Sequence, residues 1–274
     1  MHKPARSLEI VDPEADRHFH ELARSLSLNP ADTWLGGYVD YEWNHGRHLF
    51  EVGLVSVDGR QVLEFGCNVG ATAIVLAHLG AVVKAIDVNA NYIALAELNA
   101  ARYGVAGRIE FSVAPDTTKL PFDSGSFDVV SCNSVLEYVP RAMLGPVQLE
   151  IDRVTKAGGF ILIAGTSNRM WPRETHSGRW LINYLPEAVD QTMLGRCLQR
   201  GAWPWVVRAG FGSYDDVLLD NDKAFLDAKA RIGTSAWKLR LLSLFARLTR
   251  QAGISAGMLL PSMQLVLRKR QTGV

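Results

Sequence analysis

The sequence predicts an α/β domain built around a parallel sheet, and three observations lead to that prediction. From residue 60 onward, short apolar segments of strand length alternate with longer segments of helical periodicity. The apolar segments are hydrophobic along most of their length, as strands buried on both faces are. A turn from Gly66 to Gly70 joins the first of them to an apolar helix, which is the start of a strand–turn–helix unit.

The elements can be placed in order along the chain. We predict strands at 61–65, 81–86, 108–113, 127–132, 160–164, 213–219 and 262–269. We predict helices at 16–28, 71–79, 90–103, 141–154, 186–199 and through most of 222–254. Two glycines predict a turn at 156–159 before the fifth strand, and 205–210 is expected to lead into another turn.

The chain is expected to form an N-terminal extension over 1–55 and one α/β domain over 56–274. The extension contains an aromatic-rich stretch at 33–48. We expect this stretch either to cover a ligand as a lid or to pack on the domain as a helix. Two other segments interrupt the regular pattern, an irregular loop at 166–186 and a basic helical insertion at about 222–257.

Charge is distributed unevenly along the chain. The net charge is +1, yet residues 228–274 contain nine basic residues and no acidic ones, so residues 1–227 carry a net charge of −8. Such a basic region favours an anionic partner, either a membrane surface or a phosphorylated substrate. The alternative is that it docks on the protein's own acidic surface. Nucleic acid is a weaker candidate partner, because no recognition module accompanies the basic residues.

Composition also bears on compartment and on metal binding. The three cysteines are far apart and form neither a disulfide framework nor a metal-ligand pattern, so we expect a reducing, cytoplasmic compartment and no metal site. The acidic N-terminal residues do not resemble a secretion signal. No apolar run approaches the roughly 20 residues that a membrane-spanning helix needs.

The glycine turn is the first candidate ligand site. Glycine allows positive φ angles and close approach of a ligand to the backbone, and a helix that follows such a turn presents free N–H groups. An acidic residue, Asp87, follows the second predicted strand, where a carboxylate can accept both hydroxyls of a ribose. A second one, Asp116, follows the third strand and can accept a hydrogen bond from an adenine amino group.

Together these motifs resemble those of the class I S-adenosylmethionine-dependent methyltransferases. The resemblance is closest to the branch that includes ubiquinone, menaquinone and many small-molecule methyltransferases, and it covers roughly residues 60–165. The matching residues are Glu64-x-Gly66-x-Asn68-x-Gly70, Asp87, Asp116, Leu120-Pro121-Phe122, Ser126-Phe127-Asp128-Val129-Val130, Val135-Leu136-Glu137-Tyr138-Val139-Pro140 and Gly158-Gly159.

The resemblance implies a Rossmann-like, mostly parallel sheet of seven strands, with helices on both faces and an antiparallel last strand. It also implies S-adenosylmethionine as cofactor and assigns residues to it. The turn would cradle the methionine part, Asp87 would hold the ribose, and Asp116 would lie at the adenine edge. The full set of cofactor candidates is Glu64, Gly66, Cys67, Asn68, Gly70, Asp87, Val88, Asp116, Thr117 and Asn133, with Tyr38 and Arg47 closing over the cofactor from the extension.

Two residues depart from the family pattern. Asn68 stands where relatives usually have glycine, and asparagine is the other residue that best tolerates left-handed backbone angles. Tyr138 stands where relatives often have histidine, so any catalytic role of that histidine is in doubt here.

Two alternatives remain at this point. A nicotinamide dinucleotide enzyme would share the fold, but the G-x-G-x-x-G phosphate pattern is absent from the turn. The chain can also bind S-adenosylmethionine without catalysis, as a regulatory or scaffolding protein.

The acceptor is expected to be a small molecule, a sugar or a lipid-linked compound that is methylated on oxygen by direct displacement. The loop 166–186 contains the candidate bases, His176 first and Glu174 second, since a pKa of about 6.5 suits histidine to proton abstraction. The alternative for His176 is a structural hydrogen bond to a loop carbonyl. In the basic insertion, apolar and basic residues at helical spacing favour peripheral membrane contact, or packing of the apolar face on the domain.

Overall fold

The protein is built on one mixed sheet of seven strands, seen in a computed structural model that describes residues 7–186 and 198–271. The strand order is β3-β2-β1-β4-β5-β7-β6. Strands β1 to β5 are parallel, while β7 runs antiparallel to both β5 and β6. The order reverses between β1 and β4, so the carboxyl ends of these two strands flank the crevice where such sheets bind ligands.

The strand bounds are β1 Gln61–Phe65, β2 Val82–Asp87, β3 Ile109–Val113, β4 Phe127–Asn133, β5 Thr155–Ser167, β6 Tyr214–Asp216 and β7 Ser262–Lys269. The described α-helices are α1 Pro13–Ser25, α2 Tyr38–His45, α3 His48–Glu51, α4 Ala71–His78, α5 Ala90–Arg102, α6 Arg141–Val154, α7 Pro204–Ala209, α8 Val217–Asp220, α9 Asp222–Arg231, α10 Ala236–Gln251 and α11 Ala256–Leu259.

Both faces of the sheet are covered, as expected. Neighbouring residues of one strand belong to different core clusters, Val62 with α4 on one face and Leu63 with α6 on the other. This alternation follows from the two-residue period of a strand. The parallel strands are therefore buried on both sides, which explains why they are apolar along most of their length.

Three predicted elements have the bounds that the sequence indicated, namely β1, α6 and β7. The predicted turn at 156–159 is wrong, because β5 begins at Thr155 and passes through a register irregularity opposite β4. The predicted strand 213–219 is also too long. It ends at Asp216, whose carboxylate accepts the N–H of Leu218 and thereby begins α8.

The basic insertion is two helices rather than one, since the chain reverses at Gly233 with a positive φ of 85° between α9 and α10. The segment expected to lead into a turn at 205–210 forms α7, which Pro204 begins at a first-turn position. The predicted helix at 186–199 lies almost wholly outside the described residues.

The N-terminal extension packs directly on the α/β domain. Arg102 of α5 reaches Asp16 of α1 at 2.7 Å and lies 4.2 Å from the ring centre of Phe19. The helix α2 packs against α4, the helix that follows the glycine turn. This contact places α2 over the carboxyl ends of β1 and β4. No helix within the described ranges is both long and apolar enough to cross a membrane.

Candidate functional site

The turn after β1 has the backbone conformation that its sequence predicts. Gly66, Asn68 and Gly70 all have positive φ angles, of 75°, 49° and 79°. Asparagine is thus accommodated in the left-handed region, as expected. Glycine is required at position 66 for a second reason, because a Cβ there would collide with the side chain of Val135.

Asp87, at the end of β2, is connected directly to this turn. Its Oδ2 accepts a hydrogen bond from the backbone N–H of Asn68 at 2.9 Å, and its Oδ1 accepts one from the N–H of Asn89 at 2.9 Å. Both carboxylate oxygens therefore have fixed directions. Carboxylate oxygens can accept further hydrogen bonds, so the two contacts leave capacity for a ligand hydroxyl.

The other adenosine-side candidates lie at the same edge of the sheet. Val88 follows β2 and is 60% exposed. Asp116 follows β3 and is also exposed, with Oδ1 accepting hydrogen bonds from the N–H and the hydroxyl of Thr118 at 2.9 and 2.6 Å. The hydroxyl and the N–H of Thr118 lower the pKa of Asp116. Thr117 is half-buried beside it.

Glu64 and Cys67 are buried around the turn. Burial raises the pKa of Glu64 well above its usual value, and the negative charge of Glu42 raises it further. Hydrogen bonds from Ser131 and Thr72 lower this pKa but do not offset the rise. Its Oε2 has no hydrogen-bond partner among the described residues. Cys67 is a free, buried thiol whose pKa burial also raises.

The second buried carboxyl, Glu42, comes from α2 and is a residue that the sequence analysis did not single out. It is 5% exposed, and burial raises its pKa to about 7 although Asn133 and Tyr38 donate hydrogen bonds to it. Its position in the sequence could have indicated this role. Glu42 lies one helical turn after Tyr38 in the aromatic-rich stretch, so the two side chains are on the same face of a helix.

A cavity of about 490 Å³ opens at the carboxyl ends of β4 and β5. Its walls come from α2, the middle of loop 166–186, α9 and the beginning of β7, and they include Tyr38, Glu42, Asn133, His176, Lys229 and Gln264. Asn133 also donates to the hydroxyl of Thr72 at 2.9 Å, which connects the cavity to the helix behind the glycine turn. Residues from the extension, the sheet and the insertion thus share one cavity.

His176 lines the cavity, but its ring is held by acceptors. Its Nε2 lies 2.7 Å from Oε1 of the inaccessible carboxyl of Glu137. The pKa of His176 is raised overall. Burial lowers this pKa, but it is outweighed by the hydrogen bond and charge of Glu137, the charge of Glu174 and a hydrogen bond to the backbone of Gly165. Acceptors at both ring nitrogens favour the imidazolium, which has no lone pair for a proton. This geometry favours the structural alternative over the general base.

Glu174 is not among the residues that line the cavity, and its role as a second base stays a prediction. Its carboxylate is buried and accepts the backbone N–H groups of His176 at 3.0 Å and Ser177 at 2.5 Å. Burial raises the pKa of Glu174, and these N–H groups outweigh burial and lower it. Glu174 therefore shapes the turn that presents His176.

Arg47 is likewise not part of the cavity wall. Its guanidinium lies 4.4 Å from the ring centre of Trp43, and its Nε is 3.2 Å from a carboxylate oxygen of Glu51. Tyr38 lines the cavity, and its contact with the cofactor stays a prediction.

The buried carboxyls provide a test of whether S-adenosylmethionine fits. Within residues 7–186 and 198–271, neither Glu42 nor Glu64 forms an ion pair, although both are almost inaccessible to solvent. Buried carboxylates need a cationic partner or remain protonated. A ligand that carries a sulfonium and an ammonium group supplies the missing charge at Glu42. The residues present therefore fit this cofactor.

Comparison with known proteins agrees with this geometry. Residues 63–163 match the family model described as a methyltransferase domain. A ubiquinone biosynthesis O-methyltransferase from Burkholderia orbicola is 27% identical over 154 residues, covering 55% of this chain and 63% of that relative. A sterol 4-C-methyltransferase from Caenorhabditis elegans is 32% identical over 101 residues, covering 37% of this chain and 29% of that relative. The first match thus spans less than two thirds of the relative's length.

Two solved structures show the same fold over nearly the whole chain. The [4+2]-cyclase SpnF covers 96% of this chain and 99% of its own, at 16% identity and a TM-score of 0.52. A putative sarcosine dimethylglycine methyltransferase from Galdieria sulphuraria covers 97% and 94%, at 14% identity and a TM-score of 0.50. Residues 63–163 therefore form a methyltransferase domain, and the sheet order and the glycine turn are those expected of the class I S-adenosylmethionine-dependent methyltransferases.

Proposed function

We propose that this protein transfers a methyl group from S-adenosylmethionine to an oxygen atom of a small-molecule, sugar or lipid-linked acceptor. The observation that carries the proposal is the cavity in which Glu42 and Asn133, at the cofactor side, face Lys229 and Gln264 on the opposite elements. We further propose that residues 1–55 act as the cofactor lid and that loop 166–186 contributes to acceptor binding.

The cofactor, when bound, supplies a methyl group that its sulfonium has already activated. The chain then has to align the acceptor and exclude water. Glu42 and Asn133 hold the cationic end, Asp87 holds the ribose, and Tyr38 covers the site from α2. Because His176 has both ring nitrogens engaged, we propose that a phenolic acceptor, which can arrive already ionised, needs no base from the loop.

Oxygen as the methylated atom is supported by the relative named as a ubiquinone biosynthesis O-methyltransferase. The sterol relative is named for methylation at carbon, so the matched domain occurs with both chemistries. SpnF shares this fold and is named as a cyclase, so the fold also occurs with another activity. The second candidate function is therefore a protein that binds the cofactor without methyl transfer.

Calorimetry followed by a turnover assay separates these functions. We expect the protein to bind S-adenosylmethionine and S-adenosylhomocysteine, and to release S-adenosylhomocysteine when phenols, sugars and lipid-linked hydroxyl compounds are added. Binding without turnover across the panel would favour the non-catalytic candidate. Absence of binding would contradict both.

We also propose that the protein is cytoplasmic and that α10 contacts an anionic membrane surface. Four apolar residues at helical spacing are more than half exposed on α10, namely Trp237, Leu241, Leu244 and Leu248 at 61%, 58%, 56% and 57%. The same helix has four basic residues, Lys238, Arg240, Arg247 and Arg250, and no acidic one. An exposed apolar stripe flanked by positive charge is typical of helices that lie in a lipid interface.

Liposome flotation tests this contact. We expect the protein to float with vesicles of phosphatidylcholine and phosphatidylserine at low salt and to remain behind with phosphatidylcholine alone. Replacing Leu241 and Leu244 by serine is expected to reduce the floated fraction by about tenfold, because each buried leucine contributes roughly 1.5–3 kcal/mol. The matched control is Leu149→Ser, which changes an exposed leucine on α6. Equal flotation of the α10 variant and the control would contradict the proposal.

A further inference from the structure

One lysine that lines the cavity, Lys229, has no carboxylate partner among the described residues around it. Lys229 lies on α9, in the basic insertion, and its side chain forms part of the cavity wall. We propose that Lys229 forms a subsite for an anionic oxygen of the acceptor. This inference rests on the proposed function and adds the acceptor's chemical class to it.

Lys229 lines the cavity without a carboxylate partner, in contrast to two other cations of the insertion. Across the described residues, Arg231 pairs with Glu51 at 3.3 Å and Arg250 with Asp222 at 3.5 Å. Within 7–186 and 198–271, no hydrogen bond or ion pair involves the side-chain ammonium of Lys229. Its ammonium lies 5.3 Å from the ring centre of Phe225, which is a weak contact compared with an ion pair.

The environment of this ammonium is poorly hydrated. Burial alone lowers the pKa of Lys229, to about 8, and no neighbouring charge contributes to the shift. A buried charge is costly unless a partner compensates for it. An anionic ligand oxygen supplies that partner and restores the charged form.

The other titratable groups of the cavity are engaged elsewhere. On α2, Glu42 accepts hydrogen bonds from Tyr38 of the same helix and from Asn133 of β4, and Nδ1 of His45 lies 2.7 Å from the carbonyl of Tyr41. From loop 166–186, His176 is held by Glu137. No ion pair joins Lys229 to Glu42 within 7–186 and 198–271, although both line the cavity, so the two groups are free to act on different parts of a ligand.

This separation matches two ligands of opposite charge. The carboxyl of Glu42 faces the part of the cavity that Asn133 shares with the glycine-turn helix, where the cationic cofactor is proposed to lie. Lys229 belongs to a wall that also includes Gln264, whose buried Oε1 has no hydrogen-bond partner among the described residues. An acceptor with an anionic oxygen and a neighbouring O–H or N–H donor satisfies both side chains.

The test is calorimetric titration of the full chain loaded with S-adenosylhomocysteine. The probes are 4-hydroxybenzoate for a carboxylate, phenyl phosphate for a phosphate, 4-nitrophenolate for a phenolate, and the neutral 4-hydroxybenzyl alcohol. We expect at least one anionic probe to bind about tenfold more tightly than the alcohol, because a charge-assisted hydrogen bond is stronger than one between neutral groups. The anion that binds identifies the source of the oxygen.

The variants Lys229→Met and Lys229→Arg make this result specific. The methionine variant is expected to bind anionic and neutral probes equally, and the arginine variant to retain the preference. Lys223→Met, an exposed change on the same helix, is expected to leave the preference intact. Thermal melting checks that each variant is folded.

Each outcome bears on one proposal. A preference for anions that survives in Lys229→Met, or no preference in the unmodified protein, would overturn the subsite. Failure of S-adenosylhomocysteine to bind in the loading step would instead contradict the proposed function, and the two failures are seen in separate titrations.

Discussion

Replacing Glu42 by glutamine is expected to stabilise the cofactor-free protein at neutral and alkaline pH. Burial raises the pKa of Glu42 from 4.5 to about 7, so the folded state favours the protonated carboxyl. The ionised carboxyl therefore costs stability progressively as the pH rises from about 4.5, and the full cost is present above about 7. That cost is up to about 3 kcal/mol, by the free energy of one pKa unit.

Thermal melting at about pH 5 and about pH 8 measures the difference, because the two pH values lie on either side of most of the titration. We expect Glu42→Gln to melt well above the unmodified protein at the higher pH and close to it at the lower pH. Glu21→Gln, an exposed change on α1, serves as the control and is expected to have little effect. A Glu42→Gln variant that melts below the unmodified protein at the higher pH would contradict the assignment.

The same substitution is expected to weaken cofactor binding. S-adenosylmethionine carries a sulfonium charge that S-adenosylhomocysteine lacks, so the loss of the Glu42 carboxylate affects the first ligand more. We expect about a tenfold loss for S-adenosylmethionine, which corresponds to roughly 1.4 kcal/mol, and a smaller loss for S-adenosylhomocysteine. Calorimetry with both ligands measures the difference. If Glu42→Gln is more stable but loses the same affinity for both ligands, Glu42 affects folding and does not recognise the sulfonium charge.

Replacing Asp87 by alanine is expected to reduce cofactor affinity by about 100-fold, or roughly 3 kcal/mol. The variant removes the proposed acceptor of the ribose hydroxyls and also the acceptor of the Asn68 N–H, so the glycine turn loses a fixed contact. Hydrogen bonds to a charged group contribute roughly 1.5–3 kcal/mol each, which accounts for the size of the effect. Calorimetric titration with S-adenosylhomocysteine measures it.

Asp116→Ala provides the comparison for Asp87. Its carboxylate is exposed and already bonds Thr118, so its hydrogen bond to a ligand competes with water and with a local turn. We expect a loss several-fold smaller than for Asp87→Ala. Equal losses for the two variants would contradict the special role of the Asp87 contact with the turn.

Local patterns explain which features could be predicted from the sequence. The strands β1 and β7 and the helix α6 have strong periodicity, and their bounds agree with the structure. The positive φ of Asn68 follows from residue type and from its place between two glycines. These predictions depend on neighbours in the chain, which the sequence shows directly.

Features that depend on tertiary packing could not be predicted. Glu42 and Lys229 are far apart in sequence, and only the docking of α2 and α9 brings them to one cavity. The carboxylate of Glu174 accepts backbone N–H groups of its own loop, an orientation that residue type does not reveal. The partner of His176 is Glu137, a residue in another segment of the chain.

The most direct test of the account is calorimetric binding of S-adenosylmethionine at about pH 6 and about pH 8, on either side of the Glu42 pKa of about 7. Because only the ionised carboxyl attracts the cation, we expect binding about tenfold tighter at the higher pH. The dependence should be weaker for S-adenosylhomocysteine and nearly absent in Glu42→Gln. No binding at either pH, or binding whose pH dependence is unchanged in Glu42→Gln, would contradict the account.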